Sequence, residues 1–124
     1  MNEELPGILV LERKIGPDEL RRLVDRYFGD MVKYVVDVSL RIAAIGGELH
    51  ADAEQMLLER GSLQEDLWGA NYYPGLGRSE CIEYTALINI RPSQANRSME
   101  IADEEIRQTV REVTYLLIGE GEAL

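Results

Sequence analysis

Between Val32 and Ile45 the chain alternates in hydropathy, with Val32, Tyr34, Val36, Val38, Leu40, Ile42 and Ala44 on one parity. Alternation with period two marks an extended strand with one apolar face. One strand over the whole run would be unusually long. The run is therefore expected to fold back near Ser39-Leu40-Arg41 as two strands, although turn chemistry there is weak. Gly46-Gly47 closes the unit.

The rest of the pattern supplies partners for this hairpin. Ile8 to Leu11 reads as a short edge strand. Gly16-Pro17-Asp18-Glu19 opens a helix, with proline where its missing N–H does no harm and acids at the positive end. Leu20, Leu23, Val24, Tyr27 and Phe28 give that helix its apolar face, and Gly29 ends it. Glu48 to Arg60 reads as a second helix with Leu49, Ala53, Met56 and Leu57 inward and Gly61 as its stop. Asp66 to Tyr73 reads as a strand, and Pro74-Gly75-Leu76-Gly77 as a loop. Cys81 to Arg91 is the most regular strand pattern, with Ile82, Tyr84, Ala86, Ile88 and Ile90 on one face and Pro92 ending it. Asp103 is a good N-cap for a last helix with Ile106, Val110, Val113 and Leu117 inward. Residues 119–124 are expected to fray. The sum is a single α+β domain over residues 1–124. It has a four- or five-stranded antiparallel or mixed sheet and about three helices packed on one face.

Charge and composition narrow the function. The 124 residues include 13 Lys and Arg against 23 Asp and Glu, a formal net charge of −10. Nucleic-acid binding needs a positive footprint, so no nucleic-acid partner is expected. A lone cysteine, Cys81, excludes an internal disulfide and a Cys-rich metal site. Acids near it make it a poor nucleophile and a better packed side chain. No apolar stretch reaches the length of a membrane span. The start, Met1-Asn2-Glu3-Glu4-Leu5-Pro6-Gly7, does not resemble a signal peptide. A cytoplasmic location is the expectation, and the sequence leaves any cofactor unknown.

Residues 89–98, Asn-Ile-Arg-Pro-Ser-Gln-Ala-Asn-Arg-Ser, carry two asparagines, two arginines, a glutamine and two serines. Arginine and asparagine each make two directed hydrogen bonds, which suits a carboxylate, phosphate or amide. Strand parity places Asn71 on the same side of the sheet as Asn89 and Arg91, with Lys33 or Asp37 as cross-strand neighbours. Asn71, Asn89, Arg91, Asn96, Arg97 and Ser98 are thus the expected site for a small polar or anionic ligand. The plainer reading is a solvated sheet face followed by a loop whose Asn and Ser satisfy backbone groups and whose arginines pair with acids.

Glu48, His50 and Asp52 are the candidates for proton transfer, because they surround the only histidine. One histidine is few for a metal site, and acids are favoured in a first helical turn by the dipole alone. No metal is therefore expected. Gly75-Leu76-Gly77 opens no helix and is not a dinucleotide fingerprint. Trp68 falls on the core parity.

Three segments resemble a family of small bacterial proteins known as a domain of unknown function. They are Gly47-Glu48-Leu49-His50-Ala51-Asp52-Ala53-Glu54, then Gly61-Ser62-Leu63-Gln64-Glu65-Asp66-Leu67-Trp68-Gly69-Ala70-Asn71, then Ile88-Asn89-Ile90-Arg91-Pro92-Ser93-Gln94-Ala95-Asn96-Arg97-Ser98-Met99. The resemblance covers the chain from about Val32 onward and implies no activity, substrate or catalytic residue. Two readings of function stand first, a ligand-binding domain and a protein-interaction or homodimerisation module in which the arginines pair across subunits, with a carboxylate-rich metal site around His50 ranked behind them.

Overall fold

The computed structural model describes residues 7–124, so the signal-peptide reading of Met1 to Pro6 lies outside the described residues. Five strands form one antiparallel sheet: β1 (Ile8–Leu11), β2 (Val32–Asp37), β3 (Ile42–Gly46), β4 (Leu67–Tyr72) and β5 (Ile82–Glu83), in the order β1-β3-β2-β4-β5. Three α-helices accompany it: α1 (Pro17–Tyr27), α2 (His50–Glu59) and α3 (Glu104–Leu117). No helix among the described residues is long and apolar enough to cross a membrane.

The expected hairpin is β2–β3, with Val35 opposite Ala44 and Asp37 opposite Ile42. Its turn is made by a residue ahead of it. Asp37 Oδ1 accepts from the amides of Ser39 and Leu40 at 2.9 and 2.8 Å, and Asp37 Oδ2 accepts from Ser62 Oγ at 2.6 Å. The Arg41 N–H closes the loop onto Asp37 O at 2.8 Å, and Arg41 takes the left-handed backbone, φ 59°.

The sheet is covered on both faces, where coverage of one was expected. Tyr34, Val36, Ala43, Ile45, Trp68, Ala70 and Tyr72 pack with Leu20, Leu23 and Val24 of α1 and Val110, Val113 and Leu117 of α3. The opposite parity, Val35, Ala44 and Leu67, packs with Ala53, Met56 and Leu57 of α2. The reason is visible in the strands: every residue of β4 is buried, so neither face is left to water. α3 is tied to the sheet by a buried pair, Tyr34 Oη and Thr114 Oγ1, 2.6 Å apart. Thr114 Oγ1 donates to Val110 O at 2.7 Å, so the phenol donates to the threonine. Burial pushes the Tyr34 phenol well above its usual range.

Two further expectations are corrected. Residues 81–91 are strand only at β5. Thr85 then bridges Glu100, and Leu87–Asn89 is a single 3-10 turn. Beyond Thr85 the chain leaves the sheet edge and crosses β4 at Gly69, where no side chain blocks it. A methyl built on Gly69 lies 2.6 Å from Ala86 Cβ and 3.3 Å from Ile88 Cδ1. The single apolar parity of this segment therefore serves both cores: Ile82 and Tyr84 pack on the α1/α3 side and Ile88 on the α2 side. Residues 119–124 are docked where fraying was expected. The Gly121 amide donates to Tyr72 Oη at 2.8 Å, and the Gly75 and Gly77 amides donate to Gly121 O at 3.0 Å each.

Candidate functional site

Strand register builds a polar row on the α2 side of the sheet. Lys33 of β2 stands opposite Asn71 of β4, and Asn71 stands opposite Glu83 of β5. Of the two neighbours expected for Asn71, Lys33 is its partner, while Asp37 lies at the other end opposite Leu67. Asn71 Nδ2 donates to Glu83 Oε1 at 2.8 Å, and Tyr73 Oη donates to the same oxygen at 3.0 Å. Lys33 rests over the Phe28 ring, 5.2 Å from its centroid.

His50 roofs this row. It is the first residue of α2, whose start carries the apolar Leu49 at the cap and no side-chain cap bond. Its Nε2 lies 2.9 Å from Ala70 O, a carbonyl that can only accept, so Nε2 carries the proton. Burial lowers the imidazole pKa below its usual value, outweighing the Ala70 carbonyl and the Asn71 side chain, which favour the charged form. The ring is thus neutral and Nδ1 keeps its lone pair. Asn71 is 7% exposed, and its Oδ1 has no hydrogen-bond partner. Its amide hydrogens already face Glu83 Oε1 and, at 3.5 Å, Thr85 O, which leaves the oxygen turned to the imidazole side. No donor reaches this oxygen with ordinary hydrogen-bond geometry, and the His50 imidazole is the group that faces it.

The protonation of His50 makes a pH prediction. Its folded pKa lies below the unfolded value, so the unfolded chain binds more protons between the two. The stability contributed by the neutral ring is complete above the unfolded value of about 6.5 and is lost as pH falls through the folded value. Chemical denaturation of wild type and His50→Gln between pH 7.5 and 5 should show a steeper loss in the wild type. Parallel curves would refute the buried neutral ring.

Glu48 and Asp52 do not share this site with His50. Glu48 is exposed ahead of α2, Asp52 lies in its first turn, and neither makes a hydrogen bond to the imidazole. Glu54 is buried one turn further along the same face of α2, where Gln64 Nε2 donates to it at 3.4 Å. Among the described residues, no group of three His, Cys, Asp or Glu is placed to hold a metal ion. Cys81 is buried and burial pushes its thiol up.

The Asn-Arg segment is folded on itself. The Asn89 side chain completes the backbone of β4: Oδ1 accepts from the Gly69 amide at 2.8 Å and Nδ2 donates to Gly69 O at 3.0 Å. A primary amide has the donor and acceptor of a peptide, so Asn89 stands in for a strand residue at this edge. Asn96 Nδ2 faces the carbonyls of Asn89, Ser98 and Glu100 at 2.8–3.0 Å, and its Oδ1 accepts from the Ala102 amide at 2.8 Å. Arg91 donates to the carbonyls of Ile88, Gln64 and Leu67 and stacks on Trp68, 4.1 Å from the ring centroid. Ser98 closes a local turn with Glu100. Arg97 is exposed, and among the described residues its side chain has no hydrogen-bond or ion-pair partner. Of the six residues expected to hold a ligand, Asn71 alone keeps a buried side-chain atom without a partner. Lys33, Tyr73 and Glu83 complete its surroundings. The signal for Tyr73 and Glu83 was their shared parity with Asn71 in the two pairing strands.

A family model described as a protein of unknown function, DUF5674, matches residues 9–117, a span that includes all three segments that carried the resemblance. No curated protein and no solved structure matches the chain.

Proposed function

Since the chain belongs to the DUF5674 family, whose description assigns no activity, we propose from the site itself that the protein binds a small polar ligand at Asn71, between Lys33 and Glu83 and under His50. One observation carries this reading: the Asn71 carbonyl oxygen is buried with only the His50 imidazole facing it, on a side chain whose amide hydrogens are already engaged. His50, the first residue of α2, supports it, because its imidazole lies over Ala70 beside Asn71. The Asn-Arg segment takes the part of a scaffold in this reading. Through Asn89 it closes β4 two residues from Asn71.

A second reading, an interaction or homodimerisation module, rests on Leu87, Ile90 and Met99. These side chains stand 72%, 42% and 42% exposed on the segment that covers β4.

His50 is the single histidine, so its imidazole resonances form a clean reporter. Titration with small amines, amides, alcohols and carboxylates should shift them for at least one compound class in the wild type. Asn71→Ala should abolish the response while leaving thermal unfolding cooperative. A panel with no effect on His50, or one equally effective on Asn71→Ala, would sink the ligand site. Analytical ultracentrifugation of the same sample tests the second reading through a dimer lost in Leu87→Asp.

A further inference from the structure

We propose that the free edge of β1 is a docking strand for a partner protein, which adds an extended, acidic segment to the sheet through main-chain hydrogen bonds. This edge lies apart from Asn71, which stands on β4 toward the opposite side of the sheet. β1 pairs with β3 on one side and, among the described residues, with nothing on the other. In an antiparallel ladder every second residue turns its N–H and C=O away from the partner strand, so Ile8–Leu11 presents donors and acceptors outward. The open stretch continues past β1. No backbone group of Glu12, Arg13 or Lys14 bonds to the backbone of a described residue, and the chain is next tied down where the Ile15 amide donates to Leu117 O at 2.9 Å. A cavity of about 660 Å³ runs along this stretch. Its walls come from both layers: Glu19 belongs to α1, which covers one face of the sheet, and Arg60 follows α2, which covers the other. Leu9 and Val10, each half-buried, pack toward opposite faces, so an incoming strand would meet an apolar neighbour on either side. A slot bounded by both layers and floored by a strand edge has the form of one more strand.

Charge sets the chemistry of the partner. Glu12 and Glu19, the acids at this groove, are already ion-paired, with Arg60 at 3.3 Å and with Arg22 at 2.6 Å. Arg13 and Lys14 are exposed and form no ion pair among the described residues; Lys14 acts on Glu122 only from beyond that range. The groove is thus locally cationic on a chain of net charge −10. Acidic side chains at that end of an added strand would meet both cations, whereas basic ones would be repelled. A short edge with charges at its end resists general pairing. The same two side chains that discourage a neutral or basic strand therefore select an acidic one.

The probe is a blocked hexapeptide of alternating threonine and valine ending in two glutamates, titrated into the nitrogen-15-labelled full chain. The amide resonances of Leu9 to Lys14 should shift and saturate, while those of Asn71 and the His50 imidazole stay still. The same peptide ending in two lysines should bind at least tenfold more weakly. A form methylated at every backbone nitrogen should not bind, because it cannot complete the ladder. The double variant Arg13→Glu with Lys14→Glu should reverse the preference between the two charged peptides and leave thermal unfolding nearly unchanged, since both side chains are exposed. Indifference to peptide charge, equal binding of the methylated form, or no shift at Leu9 to Lys14 with millimolar peptide overturns the proposal. So does binding that occurs only after residues 1–6 are removed, which would make the occupant this chain's own start. A dimer in sedimentation that the double variant dissociates would make the occupant a second copy and overturns it equally.

Discussion

Asn96→Ala is expected to lower the free energy of unfolding by about 3 kcal/mol, a large share of the stability of a domain this size. Asn96 is 3% exposed, and its amide reaches four backbone groups, of which only Glu100 O has a second side-chain donor, Ser98 Oγ at 3.4 Å. Each neutral hydrogen bond contributes about 1 kcal/mol net, and a buried group left unpaired adds to the loss. The effect should spread, because the carbonyl released at Asn89 belongs to the residue whose side chain completes β4. Urea unfolding is the measurement, read as a lower midpoint with little change in slope. Asn96→Asp should be no better than alanine at neutral pH, since it sets a carboxylate against the carbonyls of Asn89, Ser98 and Glu100. A loss below about 1 kcal/mol for alanine would mean that water replaces the amide, and the scaffold role would be withdrawn.

Gly69→Ala is expected to cost about 2 kcal/mol and to disturb the candidate site. The backbone of Gly69 is ordinary β, so steric room decides the outcome. The added methyl would lie 2.6 Å from Ala86 Cβ and 3.2 Å from His50 Cδ2. Ala86 is fixed by its own amide, which donates to Met99 O at 3.1 Å, so the crossing segment cannot retreat without stretching the Asn89 contacts to Gly69. Thermal unfolding and the His50 resonances should both change. Gly16→Ala is the control: nothing lies within 4 Å of a methyl there, and its effect should stay under about 1 kcal/mol. Equal stability for both variants would refute the close crossing at Gly69.

Much of this architecture is legible from particular residues. Alternation locates β2 and β3, and Pro17 and Asp103 open α1 and α3, where the Asp103 carboxylate accepts from the Glu105 and Ile106 amides. The hairpin turn was harder to read, because its organiser, Asp37, precedes it and its left-handed residue is an arginine. The side taken by α2 had a signal that parity hides. Tyr34-Val35-Val36 and Ala43-Ala44-Ile45 are continuous apolar runs inside the alternation, as strands buried on both faces require. The Asn-Arg segment shows why its role is ambiguous in one dimension. Amide and guanidinium groups that grip a ligand are chemically the same as those that grip a peptide backbone, and only the partner distinguishes them. Asn71 was identifiable by parity, but its unpaired oxygen emerges only when Glu83 is seen to occupy the other half of the amide.

The Asn89 clip also bears on how this chain tolerates insertions. A backbone ladder fixes every residue along it, and a one-residue shift turns each side chain to the wrong face. A side-chain amide pins one point and leaves the residues beyond it free of register. The Arg91–Asn96 bridge then gathers both ends of the Pro92–Gln94 turn. Residues inserted between Pro92 and Ala95 would lengthen a closed loop without sliding any strand, and each doubling of such a loop adds only about 0.6 kcal/mol of closure entropy. Variation in length is thus best accommodated at this tip, a few residues from the side chains that hold the sheet edge shut.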